Sequence, residues 1–503
     1  MFIRSKKNKS GVVSIQVIDK TTGKYKVIKT IGSSCDSLEV KKLVIQAEQW
    51  IKAKKGVIEL DFSSEVKTAH QILDGIEQLT VQGTELLLGK LFKEIGFDAI
   101  NDDLFGKLVI ARLCYPASKL GTTGYLSRYQ SVQIDVQAIY RYMDKLYNKQ
   151  KEQVQNISYA HTLKILNNRI SIVFYDVTTL YFEIDNEDDL RKPGFSKEGK
   201  HQHPQIVLGL LVSIDGYPLA YEIFEGNKFE GYTMLPVIEA FKNKYKLDKL
   251  VIIADSGLLS TDNVAALQTK GYEFILGARI KNEKHAIQNK IADLKLSNGE
   301  SEIIEKDDHL RLVVSFSQSR AKKDKGNREK GLKKLEKQIK TGKLTKANIN
   351  NRGYNKYLKL EGSIQVCIDQ EKFTADDKWD GLKGYLTNTS LTKDEIIENY
   401  SHLWKIEKAF RVAKTDLKIR PIFHFKSSRI EAHICIAFAA YKVYKELERQ
   451  LKEKQAGISA EKAIAIAKTI YCLTLTTPTT KERITKTLIL NQEQKNLMTL
   501  FDL

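Results

Sequence analysis

Apolar and polar positions alternate along two short stretches near the start of the chain, VVSIQVI from Val12 to Ile18 and YKVIKTI from Tyr25 to Ile31. TTGK lies between them, so residues 1–35 read as a β-hairpin. From about 37 to 160 the pattern turns helical, with a break at Cys114–Ser118, CYPAS. Near residue 169 it changes again. RISIVFYDVTTLYFE is a β-branched and aromatic run, and QIVLGLLVS and YPLAYEIF follow across the turn IDG. GYTMLPVIEAFKNKY then reads as helix, KLVIIADS as strand, STDNVAALQTKG as helix and YEFILGAR as strand. That order predicts an α/β fold with a mixed sheet. The rhythm is interrupted over 281–382 and resumes with KGYLTNTS, DEIIENY and the helix YSHLWKIEKAFRVAK. The tail from 441 to 503 reads as helical and polar.

A chain of 503 residues exceeds what one hydrophobic core organises, so several structural units are expected. With 42% hydrophobic and 28% charged residues it belongs with folded globular proteins, not disordered ones. The net charge is +19, and such an excess is relieved by a polyanion, of which nucleic acid is the usual one. Two regions concentrate it: residues 1–30 carry eight Lys and Arg against one Asp, and 320–346 carry twelve against three acids. The second run reads equally as a solvated helix face or as a phosphate-binding one. The five cysteines form no CxxC pair, which argues against a zinc ribbon or disulfide framework and fits a reducing, cytoplasmic setting. MFIRSKKNKS lacks the apolar core of a signal peptide, and the run Ile206–Ile214 is far shorter than a membrane span. No membrane role is expected.

Three acids bear on chemistry. Asp176 lies inside a continuous apolar strand, where a carboxylate is costly unless paired, hydrogen-bonded or bound to metal. Asp255 ends the strand LVIIAD, at the carboxyl edge where α/β sheets place ligands, although it is also placed to cap the next helix. Glu407 borders the apolar stripe Leu403, Ile406, Phe410, Ala413, Leu417. It is either one half of a surface pair with Arg411 or a carboxylate turned toward the sheet. Three acids converging there would repel one another, and two divalent cations would remove that penalty. Mg²⁺ suits an all-oxygen site. His201 and His203 in KHQHPQ lack a visible third ligand, and Asn227 in FEGNKFEG reads best as a turn residue.

The quoted stretches together resemble bacterial insertion-sequence transposases of the DDE type. YDVTTLYFE, IIADSGLLS and the helix motif Tyr400, Leu403, Glu407, Lys414 stand in the order and spacing of the cut-and-paste subgroup with a Tyr-Arg-Glu-Lys helix. HQHPQIVLGLLVS, FEGNKFEG, WKIEKAFRVAK and RPIFHFKSSRIEAHI add to the likeness, which is strong over about 160–440. Leu403 stands where that subgroup has Arg, and Lys405 or Arg411 is placed to substitute. The resemblance implies an RNase H-like mixed-sheet catalytic domain over 161–280 and 383–440, with a basic insertion domain over 281–382. It implies a mainly helical DNA-binding region over 36–160 and a helical region over 441–503. Asp176, Asp255 and Glu407 would bind two Mg²⁺ ions, Mn²⁺ substituting, and Tyr400, Lys414, Lys405 and Arg411 would contact DNA. The implied activity is cleavage at inverted-repeat ends followed by strand transfer into target DNA, by a homodimer. A nuclease or resolvase without strand transfer, and a non-catalytic DNA-binding protein, are the other readings.

Overall fold

The computed structural model describes the chain apart from residues 22, 57–68, 184–185, 197–198, 200–201, 248, 308, 351–352, 362–364 and 479. His201 therefore lies outside the described residues. The chain divides into two compact units, one of Met1–Gln78 with Leu473–Lys486 and one of Leu79–Cys472 with Thr487–Leu503.

In the first unit β1 (Phe2–Lys7), β2 (Val13–Asp19) and β3 (Lys26–Ser34) form an antiparallel sheet in that order. The hairpin read from sequence is β2 with β3. Strand β1 was not foreseen because FIRSKK is an edge strand whose only half-buried residue is Ile3, so it shows no alternation. Ile15 and Val17 of β2 pack on Ala47 of the helix Ser37–Lys54, which Asp36 caps through the Leu38 amide. The chain leaves this unit within β4 (Ile76–Val81).

The second unit is built on an eight-stranded mixed sheet. Its strands are β5 (Ile172–Tyr181), β6 (Gln205–Ser213), β7 (Pro218–Glu225), β8 (Val251–Ala254), β9 (Glu273–Ala278), β10 (Ser301–Asp307), β11 (Leu310–Phe316) and, after the short pair β12 (Leu358–Glu361) and β13 (Gln365–Ile368), β14 (Leu382–Thr387). The spatial order is β10-β11-β14-β9-β8-β5-β6-β7. Strands β5, β8 and β9 run parallel, and the other neighbours are antiparallel. The mixed sheet expected from the sequence is thus present. It is wider than expected, because the interruption over 281–382 supplies β10 and β11 to its edge.

Each face of the sheet packs into its own core. Val173, Tyr175 and Val177 of β5 meet Ile252 and Ala254 of β8 and the helices Met234–Tyr245 and Thr261–Thr269. On the other face Phe174 and Leu180 meet Ile253, Ile275, Tyr385 and the helix Trp404–Thr415. This second core also takes in residues of the helices between 83 and 165 and of the long helix Ser427–Glu453. The tail contains two strands as well as helix, β15 (Tyr471–Thr476) and β16 (Arg483–Leu488), in the sheet order β16-β15-β4. This corrects the all-helical reading of 441–503; the signal was present in the alternation of YCLTLT and RITKTL. Among the described residues no helix is long and apolar enough to cross a membrane.

Candidate active site

Side chains of a strand alternate between faces. Phe174 and Leu180 face the core that holds the Trp404–Thr415 helix, so Asp176, between them by an even count, faces it too. Its Oδ1 accepts the Val177 amide at 2.7 Å, and its residue is half-buried. On the parallel neighbour, Tyr175 pairs with Ala254. One step further along, Asp255 follows on the same side as Ile253. Asp176 is thus within β5, and Asp255 directly follows the end of its parallel neighbour β8. Asp255 Oδ1 accepts the Gly257 amide at 2.8 Å. It does not cap the next helix, because Ser260 does so through the Asn263 amide.

Leu403, Ile406, Phe410 and Leu417 are buried, as the helical stripe predicts. Glu407 is exposed beside that stripe, and among the described residues its carboxylate has no ion-pair partner. The surface pair with Arg411 is not formed.

Tyr400 feels the charge of all three acids. It belongs to the helix Lys393–Ser401, which Thr392 and Glu395 start with a capping box. It is 7% exposed, and its hydroxyl lies against Gly277 of β9, where a Cβ would collide with it. Burial pushes the hydroxyl well above its ordinary range, and Asp255, Tyr385, Glu407 and Asp176 push it further. The acids in β5, just after β8 and on the Trp404–Thr415 helix thus act on one protonated phenol. They are not gathered into one ligand cluster: among the described residues no group of three or more His, Cys, Asp or Glu is placed to hold a metal ion. The donor chemistry nonetheless suits a hard divalent cation, since all three side chains offer carboxylate oxygens and share one face of the sheet.

The other sequence candidates divide. Lys405 donates to the Ile214 carbonyl at 2.7 Å and lies 3.8 Å from Asp215, so it is committed to the turn before β7. Lys408 pairs with Glu448. Arg411 is exposed, and Lys414, two turns beyond Glu407, is half-buried. Asn227 is in the turn after β7, as read from the sequence. His203 Nδ1 is buried without a hydrogen-bond partner among the described residues.

The sequence reading missed Lys383. It sits on β14 two residues before Tyr385, on the same face, with Nζ 4.4 Å from the centre of the Tyr400 ring and 5.2 Å from that of Tyr385. Burial and Arg320 lower its pKa, while Glu407 opposes them. The alternation of KGYLT was visible, but nothing in it said that β14 lies beside β9.

An aspartate in β5, another just past the end of the adjacent β8, a glutamate on the helix packed on that face and a phenol under the influence of all three define a carboxylate-centred site on an α/β sheet. The family model described as "Transposase DDE domain" matches residues 167–442, more than half of the chain, and the chain belongs to that family. It is 24% identical over 318 residues to the transposase for insertion sequence element IS1151 of Clostridium perfringens, covering 59% of this chain and 63% of that relative's length. A piggyBac transposase synaptic complex with hairpin DNA is a slight structural likeness, with a TM-score of 0.39, 10% identity, and 79% of this chain and 77% of that chain covered. The Mos1 transposase paired-end complex with left transposon end is slighter, at 0.16 and 11% identity over 36% and 57% of the chains.

Proposed function

We propose that the protein is an insertion-sequence transposase that cuts DNA at the inverted-repeat ends of its element and joins the freed ends to target DNA. The observation that carries this reading is the placement of Asp176 in β5 and of Asp255 just past the end of the adjacent, parallel β8, on the side that packs against the helix of Glu407. The strand order β7-β6-β5-β8-β9, with only β6 antiparallel to both of its neighbours, supports an RNase H-like core. The basic N-terminal strands, the 36–160 region and the 281–382 insertion are assigned to DNA contacts, and pairing of two ends calls for a homodimer. The setting is the cytoplasm of a bacterium, on its nucleoid.

Asp176, Asp255 and Glu407 would hold Mg²⁺, or Mn²⁺ in its place. Such cations, when bound, supply a polarised water and stabilise a leaving oxygen. The chain's own residues do the rest. β5 holds Asp176, the end of β8 holds Asp255, and the helix Trp404–Thr415 holds Glu407. Tyr400 is held protonated by its burial and by the acids, and would serve as a donor there. Lys383, with Lys414 and Arg411, faces phosphate. Water adds to the scissile phosphorus and the 3′ oxygen leaves with a proton. That 3′-hydroxyl then attacks a target phosphodiester in line, forming one P–O bond as another breaks.

The test incubates the purified chain with DNA carrying the ends that flank its own gene, with Mg²⁺, with Ca²⁺ and with neither. Cleavage and joining in Mg²⁺, lost in Asp176→Asn and Glu407→Gln while DNA binding persists, are expected. Cleavage without joining would replace this reading with a nuclease. Cleavage that survives Glu407→Gln would remove that residue from the site.

A further inference from the structure

The helix Gln318–Lys340 lies within the second unit and carries ten Lys and Arg against three acids. Its basic run reads from sequence equally as a solvated face or a phosphate-binding one, and its placement separates the two. One side of the helix is packed. Leu335 is buried with Tyr357, Leu358 and Val366, and Arg328 pairs with Asp377 and Asp380. Gly331 faces the same way, where a Cβ would strike the Tyr354 ring. At about 100° per residue, the opposite third of the wheel holds Lys322, Lys323, Lys330, Lys333, Lys334 and Lys337, all of them exposed. The acids lie off this stripe: Asp324 pairs with Arg320 at 3.4 Å, and Glu329 and Glu336 project onto one border. Lysines three and four positions apart repel one another, as Lys330 does Lys333 and Lys334. A polyanion laid along the stripe turns that repulsion into attraction.

Gly326 is a second, independent observation. It lies on the same stripe between Lys323 and Lys330, and a Cβ there would meet nothing within 4 Å. Glycine inside a helix is unfavourable. Gly331 has a packing reason, since it admits Tyr354, and Gly326 has none of that kind. What Gly326 provides is a low point in the stripe, one turn from lysines on either side, where the backbone of a ligand comes close to the helix. The stripe also starts beside the carboxylate site. Arg320, Asp324 and Arg328, from the first three turns, line a cleft of about 550 Å³ together with Lys383, whose Nζ lies over the Tyr400 ring. From Lys322 to Lys337 the helix rises about 22 Å, the length of about six base pairs of duplex. Lysine meets phosphate as a point charge, and the stripe holds no Arg, Asn or Gln to read base edges bidentately. Such a surface takes DNA of any sequence.

We propose that this stripe holds duplex DNA of arbitrary sequence, the target that receives the cut ends, by its phosphates, with one sugar–phosphate backbone closest at Gly326. The proposal rests on the transposase reading for the identity of the duplex, but its test does not need catalysis. Binding by the full chain, without divalent cations, is followed by anisotropy across a salt series on two probes. One is a random-sequence duplex, and the other is the inverted repeat of the chain's own element, cut flush at its end. The stripe variant combines Lys330→Gln, Lys333→Gln and Lys337→Gln. A control removes three exposed lysines elsewhere, by Lys244→Gln, Lys246→Gln and Lys249→Gln. On the random duplex the stripe variant should bind about a hundredfold more weakly than wild type at physiological salt, with a salt slope shallower by about 3. The control should bind as wild type does, and the inverted repeat should lose about threefold at most in the stripe variant. Gly326→Gln should unfold at a higher temperature than wild type, yet bind the random duplex about tenfold more weakly with its salt slope kept. Equal affinities and slopes for wild type and the stripe variant would leave the lysines as a solvated face and overturn the proposal. An equal fall in the control would trace the effect to net charge and overturn it as well. Equal losses on both probes would give the stripe to the ends and overturn the target assignment. Unchanged affinity in Gly326→Gln would overturn the close approach at that glycine. Failure of end cleavage would count against the catalytic reading and leave these binding results, and the stripe, standing.

Discussion

The Tyr400 hydroxyl lies against Gly277, at a spot that a Cβ on residue 277 would occupy. The glycine is what lets a phenol from the Lys393–Ser401 helix reach the sheet at β9. Gly277→Ala should displace the ring, cost roughly 1–3 kcal/mol of stability by overpacking, and reduce cleavage with it. Tyr400→Phe keeps the ring and should reduce cleavage with far less loss of stability. Thermal unfolding beside end-cleavage rates checks both, and native cleavage by Gly277→Ala would show that the placement is incidental.

Lys383 lies over the Tyr400 ring and feels the charge of Glu407. Removing it should weaken binding of end DNA, with the salt slope reduced by about 1 if it meets one phosphate. Lys383→Arg should restore most of that and Lys383→Met none. Equal affinities for wild type and Lys383→Met across the salt series would leave the lysine as packing against Tyr400 and Tyr385.

Lys405 and Arg411 separate by the same measurement. Lys405 is spent on Ile214 and Asp215, so Lys405→Ala should cost about 1 kcal/mol in unfolding and leave the salt dependence of DNA binding alone. Arg411→Ala should do the reverse, because the side chain is exposed. A shallower salt slope in Lys405→Ala would return that residue to the DNA surface.

Acid stability depends on buried histidines. Burial first, then Lys442, holds His161 down to about 4, and burial with Lys119, Arg112 and Arg429 holds His424 down to about 3. Unfolded, each takes its proton near pH 6.5. The folded state thus binds fewer protons below that value, and stability falls as pH drops from about 6.5 toward about 4. His161 lies 3.8 Å from Glu446, a polar contact and not an ion pair at neutral pH because the ring is uncharged there. His161→Gln should lose about 2 kcal/mol less than wild type between about pH 7 and about pH 5. Denaturant unfolding at the two pH values decides it, and equal losses would put the acid sensitivity elsewhere.

Much of this protein was determined locally. The apolar runs set β5, β6, β7, β8 and β9 and their intervening helices, because strand and helix periods are written in successive residues. The stripe from Leu403 to Leu417 was legible for the same reason. What tertiary structure decided is pairing, which depends on residues far apart in sequence. Parallel register set Tyr175 against Ala254, and with it brought Asp176 and Asp255, 79 positions apart, to neighbouring parts of the sheet. The insertion gave the sheet β10 and β11, and β14 came beside β9 to bring Lys383 over Tyr400. Gly277 admitted the phenol, and two segments some 300 residues apart buried Arg112 and Lys119 beside His424 and His433. No window of the sequence holds those relations, because charge, burial and sterics act through space and not along the chain.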